Sequence, residues 1–200
     1  MIALRTRRLA ARLRGACEGV AAVEFALAAP VLLVLLIGMF DMGHMAYLNA
    51  VLNGAVEKVA RDSALETANT TTSDQAVGAI MAGVAPGASV TTTRKSYYDF
   101  TDVARPEQWG DTNANGRCDN GESYTDENNN GSWDADIGRT GNGGSGDVVY
   151  LTATMTYQPL FKVPFTGNAN GTRTLKATAV TKNQPFGNQG QYSTAARTCT

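Results

Sequence analysis

Residues 19–40 read G-V-A-A-V-E-F-A-L-A-A-P-V-L-L-V-L-L-I-G-M-F, and the only charge in this run is Glu24. A helix over positions 20–40 rises roughly 32 Å, enough to cross a hydrocarbon core of about 30 Å. A carboxylate there costs about 2.5 to 3.5 kcal/mol at mid-bilayer and less near an end. Glu24 is therefore either a helix-end acid that snorkels to the headgroups or a residue with a task. Arg5, Arg7, Arg8, Arg12 and Arg14 all precede the run. By the positive-inside rule they hold the N-terminus in the cytoplasm and put the remaining chain outside.

Beyond Phe40 the helical period continues. Leu48, Val51, Leu52, Ala55, Val56, Val59, Ala60 and Ser63 recur on one face, opposite Asn49, Asn53, Glu57, Lys58, Arg61 and Asp62. The pattern predicts one helix from Val20 to about Glu66, roughly 70 Å long and bent at Pro30. Asp41, His44 and Asn49 fall where this helix leaves the bilayer, where polar side chains are expected without any metal or proton-relay role. Thr72 with Gln75 reads as a capping box for a short helix carrying Val77, Ile80, Met81 and Val84, ended by Pro86-Gly87. Residues 89–100, Val149 to Tyr157 and Thr174 to Ala179 carry strand patterns, and Gly167 to Gly171 is a turn before the last of them. Residues 183–200 read as a loose tail. The expected architecture is α+β: a long N-terminal helix, half membrane and half amphipathic, packed on a small antiparallel sheet.

The domain reading is a basic leader at 1–19, a transmembrane helix at 20–42, its amphipathic continuation at 43–66 and an extracytoplasmic head at 67–200. Net charge is -1 overall; the leader holds five of 17 basic residues and one of 18 acidic ones, leaving -5 without it. Nucleic acid is an unfavourable partner for such a surface. Without Cys17, which follows an arginine-rich rather than an apolar segment and so does not read as a lipoprotein site, Cys118 and Cys199 remain. An even count outside the cytoplasm suggests a disulfide; two free or intermolecular thiols are the alternative.

The head contains an acidic insertion at 107–137, with eight acids against one base between Glu107 and Asp136. Asp111, Asn113, Asn115, Gly116, Arg117, Asp119 and Glu122 match D-x-[DN]-x-[DN]-G-x5-E, the loop pattern of EF-hand calcium sites. Oxygens at alternate residues wrap a hard cation, Gly116 permits the turn, Arg117 offers its carbonyl and Glu122 closes the site. Fifteen residues later the pattern recurs as Asp126, Asn128, Asn130, Gly131, Ser132 and Asp134, but the twelfth position is Ile137. Asp136, one residue early, is the expected substitute. The close spacing leaves no room for flanking helices, and the pair resembles the tandem helix-free loops of dockerin and thrombospondin type 3 segments. One or two Ca2+ ions are the expected cofactor. Cation binding would order a segment too polar to fold by burial.

The N-terminal pattern of Gly19, four small or apolar residues, Glu24 and then Phe25 behind a basic leader resembles the cleavage site of type IV pilin precursors. That resemblance implies a cut between Gly19 and Val20 by a prepilin peptidase. An R-G-x-x-x-V-E-F-A-L-x-x-P-type start, a patch at Gly38, Asp41 and Gly43, and Tyr157 to Phe161 before an L-x-A-x-A strand together resemble the TadE family of minor pseudopilins. The resemblance implies a pilin-like fold, assembly of Tad/Flp-type pili, and other pilins or pseudopilins as partners. It places the chain as a single-pass protein of the bacterial inner membrane that an extracellular pilus can incorporate. No enzyme is implied. The competing expectation is an unprocessed, signal-anchored calcium-binding module that recognises a partner or surface.

Overall fold

The computed structural model describes residues 19–65, 69–161, 171–185 and 187–200. The basic leader, including Cys17, and most of the turn expected at 167–171 lie outside the described residues. The chain forms two compact units, Met1–His44 with Leu160–Gly167, and Met45–Pro159 with Asn168–Thr200. The boundary falls inside the first helix, α1 (Val20–Ser63).

In the first unit α1 begins at Val20, and Pro30 lies within it. The side chains of Val23, Phe25, Leu27, Val31, Leu35 and Phe40 are all more than half exposed. By length and composition this is the one described helix able to cross a membrane.

In the second unit the same helix turns amphipathic. Leu48, Leu52, Val56 and Val59 are buried, while Glu57, Lys58, Arg61 and Asp62 face solvent. Helix α2 (Thr70–Val84) buries Val77 and Met81 beside them. Its N-cap is Asn69, whose side chain accepts from the Thr72 amide; the cap expected at Thr72 thus lies three residues earlier. Asn is among the strongest N-cap residues, and it satisfies the same orphan amides a threonine would.

The strands are β1 (Ser89–Tyr97), β2 (Ser123–Asp126), β3 (Arg139–Thr140), β4 (Val148–Tyr157), β5 (Arg173–Lys182) and β6 (Ala195–Thr198). Four make an antiparallel sheet ordered β3-β1-β4-β5. Central β4 alternates from Val149 onward, with Val149, Leu151, Ala153, Met155 and Tyr157 buried on one face. Leu151, Ala153, Met155 and Tyr157 join the buried face of residues 48–60 and of α2 in one core, as an antiparallel sheet with one wet face requires.

One polar clamp crosses this core's edge. The buried Arg94 guanidinium on β1 donates to Asp74 on α2 at 2.6 and 2.9 Å, to Ser63 Oγ at 2.8 Å and to Asn142 Oδ1 at 2.9 Å. Truncating one partner of such a pair strands the other's charge. Arg94→Ala should therefore destabilise the head by roughly 3 kcal/mol. Arg94→Met, which keeps the apolar stem, should cost less, as read by thermal unfolding of the full chain in detergent micelles.

Candidate metal centre

Residues 98–147 leave the sheet after β1, pair with its edge at β3 and lead into β4. Their first anchor is a small apolar cluster of Tyr97, Ile137 and Val148, against which Val103, Tyr150 and Tyr192 pack. Ile137 is fully buried there. The twelfth position of the second loop is thus apolar because it serves as a core residue.

The first loop wraps its own oxygens around backbone amides. Asp111 accepts from the Asn115 and Gly116 amides at 3.1 and 2.9 Å, Asn113 Oδ1 from Asn115 N at 3.1 Å, and Asn115 Oδ1 from Arg117 N at 2.8 Å. Asp119 Oδ2 accepts from the Asn113 and Asn115 side-chain amides, both at 2.7 Å. These N–H donors supply part of the positive charge that a cation would supply, and they hold the Asp119 carboxyl below its usual range. Glu122 accepts from Thr112 N at 2.7 Å and Asp119 N at 2.9 Å, and the Asp119 amide is the main cause of its lowered pKa. Gly116 has φ 77°, a left-handed conformation that glycine adopts without a Cβ penalty.

The second loop repeats this geometry. Asp126 accepts from the Asn130 and Gly131 amides at 3.0 and 2.9 Å, Asn128 Oδ1 from Asn130 N at 3.0 Å, and Asn130 Oδ1 from Ser132 N at 2.8 Å. The Asn128 and Asn130 side-chain amides both donate to Asp134 Oδ2. Gly131 has φ 87°, the counterpart of Gly116. Burial pushes the Asp126 carboxyl up, but the Gly131 amide and the Arg197 guanidinium, at 2.6 Å, bring it below the usual range.

Asp136 does not join this loop. Its Oδ2 accepts from Lys95 Nζ at 2.6 Å and Tyr97 Oη at 3.2 Å, and its Oδ1 from Gly138 N at 3.1 Å. The neighbouring Ile137, buried in the apolar cluster, points the chain toward the sheet instead. An upstream residue absent from the sequence expectation stands in the equivalent place. Glu107 Oε1 accepts from Glu127 N at 2.7 Å and its Oε2 from Asp134 N at 3.1 Å, the same two positions that Glu122 takes in the first loop. The sequence signal was available: E-x-x-x-D-x-N-x-N-G-x-x-D occurs from Glu107 and again from Glu122.

The two loops are tied together and to the C-terminus. Gly110 N donates to Ser123 O and Thr125 N to Gln108 O, both at 2.8 Å, and Trp109 bridges to Tyr124. Residues 183–200 are not simply a loose tail, because β6 pairs along all of β2. A Cys118–Cys199 disulfide, Cα to Cα 5.8 Å, fastens that pairing to the first loop.

Both loops offer hard oxygen donors of the kind Ca2+ takes: carboxylates, Asn carbonyls and a backbone carbonyl at Arg117 or Ser132. Among the described residues no three His, Cys, Asp or Glu side chains gather into a metal cluster of their own. The donor set is instead shared with asparagines and the backbone. At the opposite end of the chain Val20, Glu24 and Phe25 lie on the exposed start of α1, with Val20 and Glu24 one helical turn apart.

Beside the loops, Arg105 holds Glu127 through bonds of 2.6 and 3.0 Å, which lowers the Glu127 carboxyl below its ordinary 4.5. A depressed folded-state pKa stabilises above the unfolded value and is lost as pH falls through the folded one. Head stability should therefore fall as acid carries the solution below about pH 4.5. Glu127→Gln should flatten that slope in pH-dependent thermal melts.

Residues 19–61 match the family model described as TadE-like protein. No curated protein and no solved structure matches the chain. The matched residues are Gly19 and almost all of α1, its exposed apolar part and its packed amphipathic part alike. Over residues 19–61 the chain is thus similar to TadE-like proteins.

Proposed function

We propose that this chain is a minor pseudopilin that takes part in assembling Tad/Flp-type pili. The observation that carries the reading is the coincidence of the TadE-like match at 19–61 with a helix exposed and apolar at its start and packed beneath a sheet at its end. In this reading residues 20–42 anchor the protein in the inner membrane and the head stands outside. A prepilin peptidase cuts between Gly19 and Val20, leaving a new ammonium on Val20. An ionised Glu24 among packed apolar helices needs a cation to offset its desolvation, and a neighbouring subunit's Val20 amine supplies one per subunit. That pairing sets axial register as subunits join. The role is structural and asks no catalysis of the chain.

The head is ordered by Ca2+ in this reading. Asp111, Asn113, Asn115, Asp119, Glu122 and the Arg117 carbonyl would hold one ion. Asp126, Asn128, Asn130, Asp134 and the Ser132 carbonyl would hold another. Extracellular modules of this kind bind in the range of roughly 0.1 to 1 mM.

The test is the N-terminal sequence and intact mass of protein recovered from membranes, with and without a co-expressed prepilin peptidase. The expected product starts at Val20 only when the peptidase is present, and Glu24→Ala is processed but fails to restore pili to a deletion strain. An uncut N-terminus under both conditions would overturn the pseudopilin reading in favour of a signal-anchored calcium-binding module. Full piliation by the Glu24 variant would remove the register role.

A further inference from the structure

Glu107 is fully buried, and among the described residues no cationic side chain touches it. Its hydrogen bonds among the described residues all involve the second loop: its carboxylate takes the amides of Glu127, Asn128 and Asp134, its own amide donates to Asp134 O at 3.0 Å, and its carbonyl accepts from Trp133 Nε1 at 3.3 Å. The other buried acids nearby are paired, Glu127 with Arg105 at 2.6 Å and Asp126 with Arg197 at 2.6 Å. Only Glu122, the closing acid of the first loop, shares Glu107's condition: buried and held by amides and one hydroxyl, without an ion pair among the described residues. A buried carboxylate that lacks a cation is costly, and a second carboxylate nearby, Asp126, makes it more so.

The two glutamates are also topologically equivalent. Glu122 N donates to Asp119 O at 3.0 Å within the first loop, and Glu107 N makes the matching bond to Asp134 O in the second. Glu122 does this from the twelfth position of its own loop, whereas Glu107 reaches the second loop from upstream of both, across the antiparallel bridge of Trp109 with Tyr124. We propose that Glu107 is the bidentate closing ligand of a second Ca2+ site, taking in the second loop the place that Glu122 takes in the first. The inference rests on the calcium reading given above and adds a residue outside the second loop's own twelve. Asp126 must share its carboxylate between the ion and Arg197, and Asp111 has no such competitor among the described residues, so the second site is the weaker of the two.

The experiment is calorimetric titration of chelator-stripped full-length protein in detergent micelles with Ca2+, for the wild type, Glu107→Gln, Glu122→Gln and Asp136→Asn. The wild type should bind two ions. Glu107→Gln should weaken only the lower-affinity step, by at least about tenfold, the scale on which ligand charge tunes such loops. Glu122→Gln should weaken the tighter step, and Asp136→Asn should change neither. If Glu107→Gln unfolds the apo head by near-ultraviolet circular dichroism, Glu107→Asp replaces it. Aspartate keeps the charge on a shorter arm, and the same selective weakening is expected. Two ions bound with unaltered affinity by the Glu107 variant would overturn the proposal and leave the calcium reading standing. No heat of Ca2+ binding by the wild type up to several millimolar, beyond the roughly 1 mM limit of such modules, would overturn both.

Discussion

The head depends on how carboxylates and amide oxygens are neutralised in a segment that has almost nothing apolar to bury. Between Glu107 and Asp136 the large apolar side chains are two tryptophans and a tyrosine, and Trp109 and Trp133 meet edge to face at 5.2 Å between centroids. That contact cannot repay the backbone entropy of some thirty residues at roughly 1 to 2 kcal/mol each. Order has to come from side-chain oxygens that tie down backbone amides, from the Cys118–Cys199 link, and from whatever balances the charge those oxygens concentrate. Glu122 holds the first loop from within it, and Glu107 holds the second from upstream of both, so the second loop is tied to the segment that precedes the first.

That dependence connects the two ends of the chain. The insertion leaves the sheet after β1 and re-enters it at β3, and β4, on the other side of β1, is the strand whose buried face meets the amphipathic part of α1. Ile137 and Val148 anchor the returning segment on Tyr97 at the end of β1. Asp136 with Lys95, and Arg105 with Glu127, hold its flanks by charge. The insertion is thus presented on a scaffold of sheet and amphipathic helix. The sheet and helix core contains no residue of the insertion, so it can stay folded whether or not the loops are loaded.

Much of this was legible in the sequence wherever a period was enforced by burial. The amphipathic stripe from Leu48 to Ser63 follows because a 3.6-residue repeat leaves no alternative face, and β4 is legible because from Val149 onward buried residues alternate with more exposed ones. The cap at Asn69 escaped because Thr72 and Gln75 satisfy the same template and the helix start shifts with the choice. Strand β6, Ala-Ala-Arg-Thr, has all four residues exposed and therefore no alternation to read; its pairing is fixed by β2 and a covalent bond. The first loop was legible because its ligands are contiguous. Glu107 was not, because a motif read forward from Asp126 looks for its last acid downstream, and the fold brings it from nineteen residues upstream. Asp136 looked suitable by spacing alone, yet Lys95 and Tyr97 compete for the same oxygen.

The most direct test of an ion-ordered head is amide hydrogen exchange on the full-length protein in micelles, with Ca2+ and after its removal by chelator. The account predicts that the Gly116, Asp119, Gly131 and Asp134 amides exchange slowly with Ca2+ and lose most of that protection without it. Amides of β4 should change little, since their core owes nothing to the loops. Equal protection of the loop amides in both conditions would contradict the account, and would mean that the hydrogen bonds and the disulfide suffice to order the insertion.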